Sequence, residues 1–436
     1  MKFCIVPPIN GFFNSGLSMA AKQGFALFLL ILLSGSPLWA QQGSDGASQD
    51  KQTIRLLLER IDQLEARVAK LEGGKQEAPG VTSAQHHTAT TQAEPEAETQ
   101  IDQMSEPERM DLSKTLLRIR GFGDIDFHGQ DHKGDTTTFS LGQLNLFVTS
   151  DVSEKFKFLT EIVFEAGPEN TVGVDVERML LQYSPNDYFN LAVGRYHTAI
   201  GYYNTAYHHS TWFQTTTGRP FLFEFEDKGG PLPVHNVGVS ASGLIPSGRL
   251  GLHYVAEVGN GRASRSPSAE SVQNVVDENN HKAFNLALFA RPESVRGLQA
   301  GFSVYHDLLT PDAAPAVSET ILAAHAVLVR PKFEWLNEAL VIRHAPRGSS
   351  RVFETPGFYT QVSKQFGPYR PYLRYQYVNE SDAEPVFPNF GLLHGPSVGL
   401  RYDASESVAV KLQYDYTRLR RQESINGLGL QVGFTF

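Results

Sequence analysis

The stretch richest in groups able to do chemistry is YHTAIGYYNTAYHHSTWFQTTTGRPFLFEFEDKGGPLP, residues 196–233. It holds His197, His208 and His209, and His235 follows just beyond it. Imidazoles bind zinc, but zinc sites show tight paired spacing or an added cysteine or carboxylate. Adjacent histidines rarely serve one ion, so this spacing points to loop hydrogen bonding, and no metal site is expected. His86 and His87 have no further ligand nearby. No HExxH motif occurs. Cys4 is the only cysteine and lies at the extreme N-terminus, which leaves no disulfide or thiolate chemistry elsewhere. No cofactor and no enzymatic activity are expected.

The same stretch carries Arg219 and Lys228 against Glu224, Glu226 and Asp227, a net charge of −1. Its aromatic residues are dense: Tyr202, Tyr203, Tyr207, Trp212, Phe213, Phe221, Phe223 and Phe225. Two readings are open for them. They form a greasy track for bulky solutes, or they form the small core that a folded loop needs. The second is favoured. Either way, the charges matter only if other elements hold this loop in a confined space.

The N-terminus says where those elements operate. Lys22 precedes the apolar run GFALFLLILLSG, and SPLWA-QQ follows it. A positive flank, a short apolar run and a small residue before a polar stretch read as a secretory signal peptide over 1–40, with Met19 as an alternative start. The run is short for a membrane anchor helix, and no other run approaches the length of about 20 apolar residues that a helical span needs. A net charge of −9 gives no reason to expect a nucleic-acid partner.

Residues 48–74 follow with Ile54, Ile61 and Val68 at one heptad position and Leu57, Leu64 and Leu71 at another. β-branched residues at a and leucine at d form a coiled-coil seam, and Arg60 and Arg67 at g face Glu65 and Glu72 at e between parallel chains. Self-association is expected, as dimer or trimer. Residues 75–114 hold few large apolar groups and read as a disordered linker.

From 115 to 436 the period becomes two. In KFKFLTEIVFE, Phe156, Phe158, Ile162 and Phe164 oppose Lys157, Glu161 and Glu165. VAVKLQYDY and YRPYLRYQY behave alike. Strands of about ten residues with one apolar, aromatic-ended face and one charged face describe a transmembrane β-barrel. Sixteen strands are expected, near 116–128, 138–149, 155–165, 174–184, 188–195, 234–244, 249–258, 282–291, 297–306, 319–330, 332–344, 352–364, 369–378, 395–403, 407–418 and 427–436. Short and long links alternate between them, which is the asymmetry of periplasmic turns and outer loops. The fold class is therefore all-β, an antiparallel barrel preceded by a short coiled-coil helix. Two segments fit poorly. TILAAHAVLVR is apolar on both faces and KFEWLNEALVIRH loses phase near Leu336, so either these strands pack on a neighbouring subunit or their boundaries lie elsewhere.

The chain ends GLGLQVGFTF, alternating up to Phe436. The leader, the coiled coil, the barrel pattern, this terminal aromatic strand and VGRYHTAIGYYN before a long loop together resemble the sixteen-stranded porins of Gram-negative bacteria, and within them the phosphate-selective porin O and P family. The resemblance implies an outer-membrane location with the coiled coil in the periplasm, a homotrimer, contact with outer-membrane lipids, and recognition of the Phe436 strand by the barrel-assembly machinery. It also implies that 196–233 folds into the lumen as the constriction. Candidate pore-lining residues are then Arg118, Arg120, Arg178, Arg195, Arg374, Arg401 and Lys411 on the polar faces, with Arg219, Glu224, Glu226, Asp227 and Lys228 in the loop. The loop has no lysine cluster, and residues 115–436 hold 28 Lys+Arg against 33 Asp+Glu, so a general or weakly selective water-filled channel for small hydrophilic solutes or ions is favoured. A structural tether and a barrel lipase or protease are the alternatives.

Overall fold

A period of two gives each strand one greasy and one wet face, and the computed structural model of the protein contains sixteen such strands. It describes residues 117–436 apart from 133, 168–169, 208–210, 265–274, 313–314, 387–390 and 421, and apart from the side chain of residue 227. The signal peptide, the coiled coil with its Ile54–Leu71 seam, the linker and the pair His86–His87 lie outside the described residues.

The strands are β1 Leu117–Gln130, β2 Thr138–Asp151, β3 Phe156–Ala166, β4 Val172–Asn186, β5 Phe189–His197, β6 His235–Ile245, β7 Leu252–Gly259 and β8 Ala283–Ala290. They continue as β9 Leu298–Leu309, β10 Val317–Arg330, β11 Phe333–Pro346, β12 Phe353–Lys364, β13 Tyr369–Asn379, β14 Leu392–Asp403, β15 Val408–Leu419 and β16 Ile425–Thr435. Each pairs with its neighbours in sequence, and β1 pairs with β16, closing the barrel. That last seam is antiparallel and runs from Phe122↔Thr435 to Gln130↔Gly427. Closure removes the sheet edge whose unpaired N–H and C=O groups would be costly away from water.

The exterior is apolar. Leu144, Val176, Leu181, Val239, Leu286 and Leu322 are exposed on it. Aromatic pairs sit toward both ends: Phe156–Tyr183 and Tyr369–Tyr402 at the short-turn end, with ring centroids 4.9 and 5.2 Å apart, and Phe127–Phe139 at the long-loop end, 4.6 Å apart. An apolar band between aromatic girdles is the pattern expected of a barrel that faces lipid.

The interior explains the two segments that fit poorly. β11 keeps its phase throughout: Glu334, Leu336, Glu338, Leu340, Ile342 and His344 are all buried on one face. The inward face of β10 likewise buries Ile321, Ala323 and Val327. These apolar residues pack against Ile200, Tyr203, Tyr207, Leu222 and Phe223 of the long β5–β6 loop. The second apolar face of β10 is therefore covered from inside the barrel, by the chain's own loop, and not by a neighbouring subunit.

Candidate functional site: the loop inside the barrel

Residues 198–234 leave β5, cross the lumen and return to β6. A short helix, α1 (Tyr203–Ala206), opens the inward leg. Its first N–H groups lack partners within the helix, and Glu338 of β11 supplies them: Oε2 accepts from Tyr202 N at 2.5 Å and Oε1 from Tyr203 N at 2.9 Å. Tyr207 donates its hydroxyl to Glu334 at 2.8 Å, and Ala199 N donates to Glu257 of β7 at 3.0 Å. Leu222 sits over Gly357 of β12, where an added Cβ would lie 2.4 Å from its Cδ2. Any larger residue there would lift the loop off the wall.

The far leg is pinned by cations. Lys411, fully buried, donates to the carbonyl oxygens of Thr211 and Thr216, the latter at 3.0 Å, and to Gln431 Oε1 at 2.8 Å. Arg401 donates to the carbonyls of Trp212 and Gln214 at 2.5 and 2.9 Å and to Asp403 at 2.6 Å. Arg374 donates to the Gly218 carbonyl at 2.8 Å and to Thr216 Oγ1 at 3.3 Å. Within the loop, Arg219 donates to the carbonyls of Tyr207 and Phe223 and lies 4.1 Å above the Phe225 ring. Burial pushes its guanidinium down from the usual arginine value, and the neighbouring Tyr203, Glu224 and Glu226 oppose that shift. A loop has many carbonyls without ladder partners, and charged donors satisfy them more strongly than neutral ones.

The histidines do similar work. His235 stands between Glu177 (Nε2 to Oε2, 2.7 Å) and Glu226 (Nδ1 to Oε2, 3.2 Å), fastening the end of the loop to β4. His197 turns Nδ1 to the Asn204 carbonyl at 3.1 Å and contacts His235 ring to ring at 4.8 Å. Burial works to raise the Glu226 carboxyl, but the facing His235 outweighs it and holds the group below the ordinary glutamate value of 4.5. His208 and His209 lie outside the described residues. Among the described residues, no group of three His, Cys, Asp or Glu side chains is arranged to hold a metal ion.

The remaining sequence-derived candidates divide by position. Arg178 on β4 pairs with Glu161 at 2.9 Å, and Arg195 on β5 lies 3.8 Å from Glu177. Arg118 pairs with Asp151 at 3.2 Å at the short-turn rim, and Arg120 is exposed one inward position further in. Glu224 is half-buried, and Lys228 is exposed, 3.9 Å from Glu165 of β3. The Asp227 side chain is outside the described set. Arg374, Arg401 and Lys411 do sit on the inner wall, as alternation demands, but they lie beneath the loop rather than facing water. The buried aromatics Tyr203, Tyr207 and Phe223 form a core and not a track, and Phe225, also buried, lies beneath Arg219.

Sequence reasoning passed over two features. GPSVG, 395–399, has GxSxG spacing, yet Ser397 lies within β14 and donates to Asp415 at 2.5 Å. The strand-to-helix elbow that makes such a serine a nucleophile is absent there. His344, buried, is clamped between Glu319 at 2.8 Å and Glu384 at 2.5 Å; nothing in the spacing of these residues announces the contact.

The loop leaves hollows on either side of itself. One, of about 330 Å³, opens among Asp126, Glu224, Arg374, Gln376 and Asp415 toward the long-loop end. Another, of about 610 Å³, opens among Asn190, Tyr202, Ser242, His253, Arg291 and His325 toward the short-turn end. The arrangement is a barrel lumen narrowed, at mid-height, by a strap fixed to the wall on several sides, from β4 and β7 to β11–β15.

No protein-family model and no curated protein sequence matches the chain. Solved structures do match it in shape. The anion-selective porin from Comamonas acidovorans aligns with a TM-score of 0.53 and 12% identity, over 74% of this chain and 100% of that one. OmpT, an outer-membrane protein of Vibrio cholerae, in its trimer form, gives 0.52 and 9% over 74% and 99%. Salmonella typhi OmpF, in complex with daunomycin, gives 0.50 and 9% over 73% and 97%. At these identities the likeness is one of fold: the closed antiparallel barrel of the porins.

Proposed function

We propose that this chain is an outer-membrane porin, a passive channel for small hydrophilic solutes or ions. The observation that carries this reading is the strap: a long loop fixed inside a closed, apolar-skinned barrel by buried cations that bind its carbonyls. Such anchoring holds the narrowest part of a lumen at a set width, and width and lining charge decide what passes. A barrel filled only to make a solid core would need no polar inner wall. The porin fold of the structural neighbours supports the same reading.

The finer points rest on the sequence. The 1–40 leader and the terminal strand ending at Phe436 support export and insertion by the barrel-assembly machinery. The 48–74 seam supports a periplasmic coiled coil and self-association, and the trimer form of the Vibrio cholerae protein favours three subunits. Phosphate selectivity, which the resemblance to the porin O and P family would imply, is not favoured. Arg374, Arg401 and Lys411, which would line an open anion path, instead bind loop carbonyls.

Liposome swelling tests the reading. Vesicles carrying the purified protein should swell in isotonic sugars at rates that fall with sugar size. Vesicles that hold folded barrel and do not swell in any small solute would refute it.

A further inference from the structure

Successive strands run in opposite directions, so each inward residue has a definite height between the two mouths. Toward the short-turn mouth the inward positions carry Arg118, Arg120, Lys157, Arg370, Arg401 and Lys411, with Arg291 just beyond β8, against Asp151, Glu334 and Asp403. Three of the cations are direct cross-strand neighbours, Arg370↔Arg401 and Arg401↔Lys411. Like charges placed opposite one another cost stability, so the row is not there for the sheet's sake. Toward the long-loop mouth the inward positions carry Asp126, Glu165, Glu257, Asp307, Glu319 and Asp415, against His344 on β11 and Arg262 just beyond β7. Here Asp307 and Glu319 are themselves direct neighbours.

Hydrogen bonding leaves this separation standing, because many partners are neutral. Arg370 donates to the Pro331 carbonyl at 2.9 Å and to Gln365 at 3.0 Å, and Arg291 donates to Gln299 at 2.8 Å. At the other end, Asp415 accepts from Ser397 and from Gln413, the latter at 2.9 Å, and Asp307 accepts from Tyr305 at 3.1 Å and from backbone N–H groups. A carbonyl or an amide satisfies the geometry of a charged group without cancelling its charge. Ion pairs cancel charge locally at both ends, Arg401–Asp403 at 2.6 Å and Arg118–Asp151 at 3.2 Å toward the short-turn mouth, and Lys228–Glu165 at 3.9 Å and His344–Glu319 at 2.8 Å toward the long-loop mouth, which leaves Arg120, Lys157, Arg291 and Arg370 at one end and Asp126, Glu257, Asp307 and Asp415 at the other to carry the gradient.

We propose that the lumen carries an axial charge gradient, negative at the long-loop mouth and positive at the short-turn mouth, which makes the pore rectify and draws small cations into the long-loop mouth. The proposal rests on the pore reading above. Its sign follows from ion supply. When the long-loop side is positive, cations enter through the mouth that favours them and anions enter through the opposite mouth, so both accumulate and conductance rises. Reversed voltage draws both out and conductance falls. Salt should abolish the effect, since the screening length shrinks from about 10 Å at 0.1 M to about 3 Å at 1 M.

The test is the current–voltage curve of single pores in planar bilayers, in potassium chloride at pH 8. The short-turn mouth is marked by one-sided streptavidin on a biotin at Ser405→Cys. At 0.1 M the current should be larger with the long-loop side positive, by about twofold or more for fields of this kind, and should become symmetric at 1 M. Asp415→Asn with Glu165→Gln, and separately Arg120→Gln with Lys157→Gln, should each lower the ratio. An open pore with a straight or oppositely bent curve at 0.1 M overturns the gradient and leaves the pore reading intact. Folded barrels that pass no current overturn both.

Discussion

Gly121 and Phe436 exchange both backbone hydrogen bonds, each 2.9 Å, and the Phe436 ring lies over Gly121 so closely that an added Cβ would fall 2.1 Å from its Cζ. Two residues earlier on the same strand, Phe434 covers Gly123 in the same way, with a Cβ meeting its ring at 2.7 Å. The last residue of the chain is therefore a paired part of the closing seam. An aromatic ring laid over a glycine on the facing strand restores the contact that the glycine lacks.

Gly121→Val should displace that ring and weaken closure by about 1–3 kcal/mol, the usual range for overpacking. Gly121→Ala should do less. The fraction of heat-modifiable, folded barrel on a denaturing gel reports this directly. In Phe436→Ala the valine should be nearly harmless, because the clash has gone.

Lys411→Met should free the carbonyls of Thr211 and Thr216. Charge-assisted bonds contribute about 1.5–3 kcal/mol each in such settings. The barrel itself should still form, since its ladder is untouched. The strap should loosen, seen as larger current fluctuations and faster proteolysis within 211–217, with Lys411→Arg intermediate.

Leu222→Ala and Phe223→Ala should undock the strap from β10–β12 at a cost of about 2–5 kcal/mol, as for other large-to-small changes in a packed core. Both side chains are almost fully buried, at 1% and 0% exposure. Hydrogen exchange should rise in α1 and in the loop while the barrel amides stay protected. If the aromatics were a solute track instead, these variants would alter solute rates and leave loop exchange unchanged.

Acid should act on the return leg of the loop through Glu226, whose folded-state value is held down from 4.5. A depressed carboxylate contributes fully above its unfolded value, and the contribution is lost as pH falls through the folded one. Current noise from the strap should therefore grow as pH drops below about 4.5, the ordinary glutamate range. Glu226→Gln should show raised noise at every pH and lose the acid step assigned to this contact.

The barrel was legible because its rule is local. Alternation at Phe156–Ala166 or Val408–Leu419 is written in adjacent residues, and the alternation of short and long links gave strand direction. The strap's anchoring was not legible, because its chemistry lies between side chains and backbone. Lys411 and Arg401 read as open lumen charges, since the carbonyls of Thr211 and Gln214 that occupy them have no signature in sequence. The inward leucines of β11 looked like lost phase for the same reason: Leu336 and Leu340 face an apolar partner brought from more than a hundred residues away by the fold. Charge separation along the axis emerged only when strand direction and register were combined.

The central claim is that the strap narrows the lumen without sealing it. Single-channel recording of the purified barrel in planar bilayers tests this most directly. Discrete current steps of one size, growing in proportion to salt concentration, are the predicted result. Membranes shown to contain folded barrel and yet electrically silent at every voltage would contradict it.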